Sequence, residues 1–207
     1  MTGKLIAFEG ADESGTTTQV KAVADYFSGK LEKPVHTTFE PSSFPIGKVI
    51  KSWLRKELPR PSERVLATSF MVDRLHHWES QIKPILMDGR HVFTDRFSLS
   101  TFVYQSVKQP LKWLQKLDYF LGVPFPDLTL ILDLPVDVAF ERISKRGEEK
   151  EIYEEKEFQK IVANGYRTLP SELDMPYKIV DVSQSEREVT EDIISILQPI
   201  LSYAGIA

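Results

Sequence analysis

The chain has 207 residues, 42% hydrophobic and 27% charged, with no cysteine. That length and apolar content suit one compact domain and exclude disorder as the main state, and the absent thiols exclude disulfides, thiolate nucleophiles and cysteine-held metal. A formal charge of −4 suits no nucleic-acid partner, and with neither a long apolar run nor a leader-like start the expectation is a soluble, cytoplasmic protein without a membrane partner.

Residues 5–8 (LIAF) form a short apolar run ending at Glu9-Gly10, which predicts a strand buried on both faces. Gly10 and Gly15 bracket a turn, and residues 16–28 read as a helix stopped by Gly29. Residues 35–39 give a second strand, and prolines at 41, 45, 59 and 61 frame a short helix around 46–56. Between 62 and 87, Leu66, Phe70, Leu75, Trp78, Ile82 and Ile85 recur at helical spacing, with a five-residue step from Phe70 to Leu75 that predicts a bend. A third strand at 91–94 ends in Asp95-Arg96, Pro110 starts a helix, and a fourth strand at 128–132 carries Asp133. Pro135 opens a helix through Arg142. Residues 145–157 hold 10 charges in 13 positions, which places them in solvent. Helix resumes over 158–169, a fifth strand covers 177–182, and Val189, Ile193, Ile196, Leu197, Ile200 and Leu201 form one apolar face of a last helix. Strands alternating with helices predict an α/β fold, a parallel sheet with helices on both faces, in a single domain over 1–207.

The loop after the first strand reads Gly10, Ala11, Asp12, Glu13, Ser14, Gly15, Thr16, Thr17, Thr18. Where a strand turns into a helix, backbone N–H groups and the helix N-terminus make a cradle for phosphate. The two glycines keep the G-x-x-x-x-G spacing of a P-loop, but Thr16 stands where the lysine should follow. Thr17 keeps a hydroxyl placed to ligate Mg²⁺, Asp12 suits the metal or a sugar hydroxyl, and Glu13 sets negative charge beside a site for polyanions. Asp95-Arg96 lie at a strand end, where α/β sheets bind ligands; Asp133 at a similar end serves equally to cap the helix at Pro135. Asp73-Arg74 is open to reading as a surface ion pair. His36, His76, His77 and His91 lack metal-ligand spacing, and Trp53, Trp78 and Trp113 read most simply as core or interface aromatics.

FEGADESGTTTQ resembles the pattern FEGxDGxGKTTQ of thymidylate kinases, and further segments follow in that family's order. They are Glu40-Pro41 with Gly47, FMVDRLHH at 70–77, DRFSLSTFVYQ at 95–105, PDLTLILDLPVDVAFERISKR at 126–146 and EFQKIVANGYRTL at 157–169. The resemblance implies a three-layer P-loop nucleoside monophosphate kinase fold, with a five-stranded parallel sheet in order 2-3-1-4-5, a lid-like segment near 145–157 and a homodimer. It implies ATP and Mg²⁺, and phosphoryl transfer to thymidine monophosphate giving thymidine diphosphate.

Carried over residue by residue, the resemblance gives the loop residues 10–18 to the nucleotide phosphates and Thr17 and Asp95 to the metal. Asp12, Asp95, Arg96, Arg142 and Arg146 take the catalytic positions. Glu40, Pro41, Phe70, Arg74, Arg96, Ser100, Tyr104 and Gln105 take the acceptor side, with Phe70 stacking on the base, Arg74 reaching a base carbonyl and Arg96 holding the monophosphate. His77 matches a family position of structural character.

The sequence departs from the pattern at Thr16, at Glu13 in place of a small residue or an arginine, at Phe39 in place of the arginine of REPGG, and at Ser42-Ser43 in place of its glycines. Loss of one aimed charge costs roughly 10²–10³ in rate. Three readings stay open here: a thymidylate kinase, slow or rescued by Arg142, Lys145, Arg146 or Lys150; a catalytically impaired nucleotide- or partner-binding relative; and a kinase for another nucleoside monophosphate.

Overall fold

The computed structural model describes residues 3–139 and 152–201. Its sheet has five strands, β1 (Leu5–Gly10), β2 (His36–Phe39), β3 (Val92–Asp95), β4 (Leu128–Asp133) and β5 (Tyr177–Asp181), all parallel and ordered 2-3-1-4-5. The expected topology is therefore present. β1 is central and buried along its whole length, which is why its run carries no polar alternation.

Alternation along β1 sorts the core into two faces. Ile6 and Phe8 join Val20, Val23 and Phe27 of α1 (Thr16–Ser28) and Val189, Ile193, Leu197 and Leu201 of the last helix, α8 (Glu186–Leu201). Leu5 and Ala7 face the opposite way, toward Ile82, Leu86 and Phe97. That side also carries α3 (Glu63–His77), α5 (Ser98–Ser106), α6 (Leu111–Leu121) and α7 (Ile152–Glu172), which close over Ala67, Met71, Phe102, Leu114, Ile131, Val162 and Tyr166. Each buried Leu, Ile or Phe contributes about 1.5–3 kcal/mol relative to exposure, so these layers hold the sheet in place.

Several boundaries differ from the sequence reading. The irregularity predicted between Phe70 and Leu75 falls later: α3 runs unbroken to His77, and a π-helical stretch, Trp78–Ile82, leads into α4 (Lys83–Met87). Pro84 is the cause, because it has no N–H to donate; just ahead of it the helix widens so that Lys83 N–H bonds to Trp78 O. The helix α5 was hidden in a segment read only as a motif. The helix expected from residue 158 begins at Ile152, inside the charged stretch, whose Glu and Lys residues are good helix formers. A short helix, α2 (Pro45–Leu54), follows β2 and takes its proline at the first turn. Residues 136–139 are helical after Pro135, as expected, and the rest of that expected helix, including Arg142, lies outside the described residues. The Asp133 carboxylate receives both Nε and Nη2 of Arg167 on α7, at 3.0 and 2.9 Å. Among the described residues no helix is long and apolar enough to cross a membrane.

Candidate active site

The carboxyl ends of β1, β2 and β3 bring Gly10, Glu40 and Asp95-Arg96 to one edge of the sheet. Gly10 has to be glycine: a Cβ there would stand 2.8 Å from Leu132 O and 2.4 Å from Ser14 Oγ. Gly15 takes φ 84°, the left-handed conformation that lets the chain turn directly into α1. Glu13 is also left-handed, at φ 65°. Residues 11–18, with Asp95 and Arg96, line a hollow of about 400 Å³ at the N-terminus of α1. Among the described residues Arg96 is the only cation that lines it.

Thr17 Oγ1 donates to Asp95 Oδ2, while Asp95 Oδ1 is buried without a partner among the described residues. A hydroxyl beside a carboxylate oxygen left unsatisfied in a polar hollow is what a hard cation with one or two protein ligands needs, so Thr17 and Asp95 fit Mg²⁺ held jointly with phosphates. Among the described residues no three His, Cys, Asp or Glu side chains converge.

Arg96 has φ 68°, a strained conformation for a non-glycine residue. Its guanidinium is anchored through Nη1 by Gly10 O at 2.8 Å, Ser100 Oγ at 3.2 Å and Tyr166 Oη at 2.9 Å, and through Nη2 by Asp12 Oδ1 at 2.9 Å. Burial works against its charge, yet the acidic groups of Tyr166, Tyr104, Asp12 and Glu9 more than offset it and hold the group above its ordinary value. Glu9 is fully buried and accepts from Phe97 N at 2.8 Å, Ser100 N at 3.2 Å and Ser100 Oγ. Burial raises its pKa, against those hydrogen bonds and the Arg96 charge.

Arg96 also lines a second pocket, of about 380 Å³, together with Asp12, Glu40, Pro41, Phe70, Ser100, Tyr104 and Gln105. Seven of the eight acceptor-side candidates thus line one cavity. The eighth, Arg74, is buried behind it: Nε reaches Glu40 at 3.1 Å, Nη1 reaches Asp118 at 3.5 Å, and Nη2 bonds Phe97 O and Thr101 Oγ1. Asp73 and Arg74 form no surface pair, since each is buried with other partners; Asp73 accepts from Ser42 N and Oγ at 2.7 and 2.6 Å. His77 is buried between Glu40 at 3.2 Å and Thr38 at 2.7 Å. Arg142, Lys145, Arg146 and Lys150 lie outside the described residues.

Three participants were not read from the sequence. Glu9 looked like a strand end, although a carboxylate closing an apolar run is a signal in itself. Tyr166 and Phe158, which closes the pocket, fall in the helix expected over 158–169 and carried no separate signal.

The thymidylate kinase family model matches residues 8–193. A thymidylate kinase of Desulfotalea psychrophila is 35% identical over 208 residues, 98% of each chain. Probable thymidylate kinases of Pyrococcus horikoshii and Methanosarcina mazei are 33% and 31% identical, over 96% and 94% of this chain and 97% and 95% of their own. The chain belongs to the thymidylate kinase family.

Membership makes it a phosphoryl-transfer enzyme of the nucleoside monophosphate kinase type. Against the thymidylate kinase pattern, the left-handed backbone at Glu13 explains why glycine suits that position. Thr16 lines the cradle with a hydroxyl in place of an ammonium, which removes a positive charge. Ser42, where the pattern has glycine, is tied down by Asp73 and by its own bond from Phe44 N at 3.1 Å.

Proposed function

We propose that this protein transfers the terminal phosphoryl group of ATP, with Mg²⁺, to thymidine monophosphate, producing ADP and thymidine diphosphate. The observation that carries the reading is Arg96, one fixed cation shared by the phosphate cradle and the nucleoside-sized pocket. An acceptor whose base lies against Phe70 presents its phosphate to Arg96, and a nucleotide on the loop presents its terminal phosphate to the same group. That brings the two reacting partners together without a large rearrangement, the main demand of a reaction in which positioning and charge stabilisation do most of the work. Asp12 and Tyr104, whose hydroxyl donates to Asp12 at 3.3 Å, form a polar wall suited to a sugar hydroxyl. Burial pushes the Tyr104 phenol up, so it stays a neutral donor.

Thr17 and Asp95 would hold Mg²⁺, which supplies charge neutralisation between the phosphates. The loop amides and the N-terminus of α1 bind the donor phosphates. With Thr16 in place of lysine, the described part of the cradle offers Arg96 alone as a fixed positive charge, and the expected turnover is slow.

A coupled assay of ADP release tests this, with ATP, Mg²⁺ and each of thymidine, deoxyuridine, cytidine, adenosine and guanosine monophosphates. Metal-dependent turnover greatest with thymidine monophosphate is expected. Preference for another acceptor, or no turnover although thymidine monophosphate binds, would overturn it.

A further inference from the structure

A third hollow, of about 550 Å³, adjoins both sites: it shares Thr17 and Asp95 with the cradle and Pro41 and Glu40 with the nucleoside pocket, and Arg96 with both. Its wall carries two lysines, Lys21 of α1 and Lys51 of α2, and neither belongs to a motif. Lys51 is the more constrained. Its Nζ donates to Ser42 O at 3.1 Å and sits 4.2 Å from the centre of the Phe39 ring. An ammonium carries three donors, so two remain for another partner. Lys51 forms no ion pair among the described residues; burial pushes its pKa down, helped by Arg55 and Lys48 and opposed by the Asp73 carboxylate, which Ser42 N and Oγ already hold.

The ring beneath Lys51 is Phe39, which stands where the family pattern has an arginine. The aromatic face holds the ammonium by its negative face, and the Ser42 carbonyl fixes its direction. We propose that Lys51 binds the phosphate of the acceptor nucleoside monophosphate, so that the positive charge missing from residue 39 is supplied one helix later in the chain. The assignment rests on the thymidine monophosphate reading above. The neighbouring groups agree: the hollow joins the place where the acceptor phosphate meets Arg96 to the place where Thr17 and Asp95 face the donor.

The test compares the parent protein with Lys51→Gln, Lys51→Arg and Lys48→Gln, the last an exposed charge on the same helix that lines none of these hollows. Affinity for thymidine monophosphate and for uncharged thymidine is measured by calorimetry, and KM for each substrate by the coupled assay. Lys51→Gln should weaken thymidine monophosphate about 10-fold, leave thymidine binding and the KM for ATP unchanged, and be largely rescued by Lys51→Arg. Lys48→Gln should change none of them. Unchanged thymidine monophosphate affinity in Lys51→Gln, or an equal loss for thymidine, overturns the assignment. If the parent binds neither compound, the functional reading itself fails and the assignment falls with it.

Discussion

Arg96 donates to the Asp12 carboxylate at 2.9 Å, and so ties the turn after β3 to the loop after β1 at the mouth of both pockets. Asp12 is more than half exposed, so the pair by itself adds little stability. Its consequence is positional: the guanidinium is held in one orientation before any phosphate arrives, with its far side on Gly10 O and Tyr166. Pre-set donors of this kind stabilise developing charge without reorganising.

Replacing Arg96 by lysine should therefore act as a severe change. A lysine keeps the charge but cannot span Gly10, Ser100, Tyr166 and Asp12 with one ammonium. Arg96→Lys is expected to lower kcat/KM for thymidine monophosphate by about 10²-fold or more, and to lower the unfolding temperature as well because Gly10 O and Tyr166 Oη lose their donor, as read by the coupled assay and calorimetry.

Restoring the cradle's cation should work in the opposite direction. Thr16→Lys is expected to raise kcat by about 10²-fold, with a smaller effect on KM for thymidine monophosphate. Equal turnover by the two proteins would mean that another cation already fills the lysine's place.

Thr17 is expected to matter through the metal. Thr17→Val removes the hydroxyl that bonds Asp95 Oδ2 and leaves the carboxylate with no partner on either oxygen among the described residues. Turnover should fall about 10²-fold and the Mg²⁺ concentration for half-maximal rate should rise, while binding of thymidine monophosphate in chelator stays as in the parent.

Glu9 should behave as a structural carboxylate that the site depends on. Glu9→Gln keeps an oxygen for Phe97 N and Ser100 N, but it sets an amide N–H against Ser100 Oγ, which then has to accept where it donated, and it removes the negative charge facing Arg96. A loss of about 2 kcal/mol in unfolding free energy is expected in urea titrations, with Arg96-dependent turnover lowered alongside.

His91 gives a pH dependence of known sign. Its Nδ1 accepts from Lys4 N at 3.0 Å, so the bond requires the neutral ring. Burial lowers its pKa, helped by the Lys4 ammonium and opposed by Asp127. With the folded value below the unfolded value of about 6.5, the unfolded chain binds more protons between the two, and stability falls as pH drops through 6.5. Urea midpoints at pH 7.5, 6.5 and 5.5 should decline for the parent and decline less for His91→Gln; parallel slopes would exclude His91 as the cause.

Much of this was written in the sequence in local form. The apolar runs at 5–8 and 128–132, set among helical periods, specify strands buried on both faces of a parallel sheet, whereas β2 and β5 lie at its edges, are partly exposed and carry a weaker signal. The spacing of Gly10 and Gly15 specifies a phosphate-binding turn, because few other residues allow the close approach at the first position and the left-handed backbone at the second. Tertiary structure alone decided which side chains meet. The partners of Arg74, from Glu40 to Asp118, come from segments up to 44 residues away, so nothing in DRLHH distinguishes a surface pair from a buried hub. Glu9 and Arg96 share Ser100 only because β1 and β3 lie side by side in register. Lys51 is one more lysine on a short helix until the fold lays it over Phe39. Periodicity reports which face of an element is apolar; the direction of a charge depends on what the rest of the chain brings to meet it.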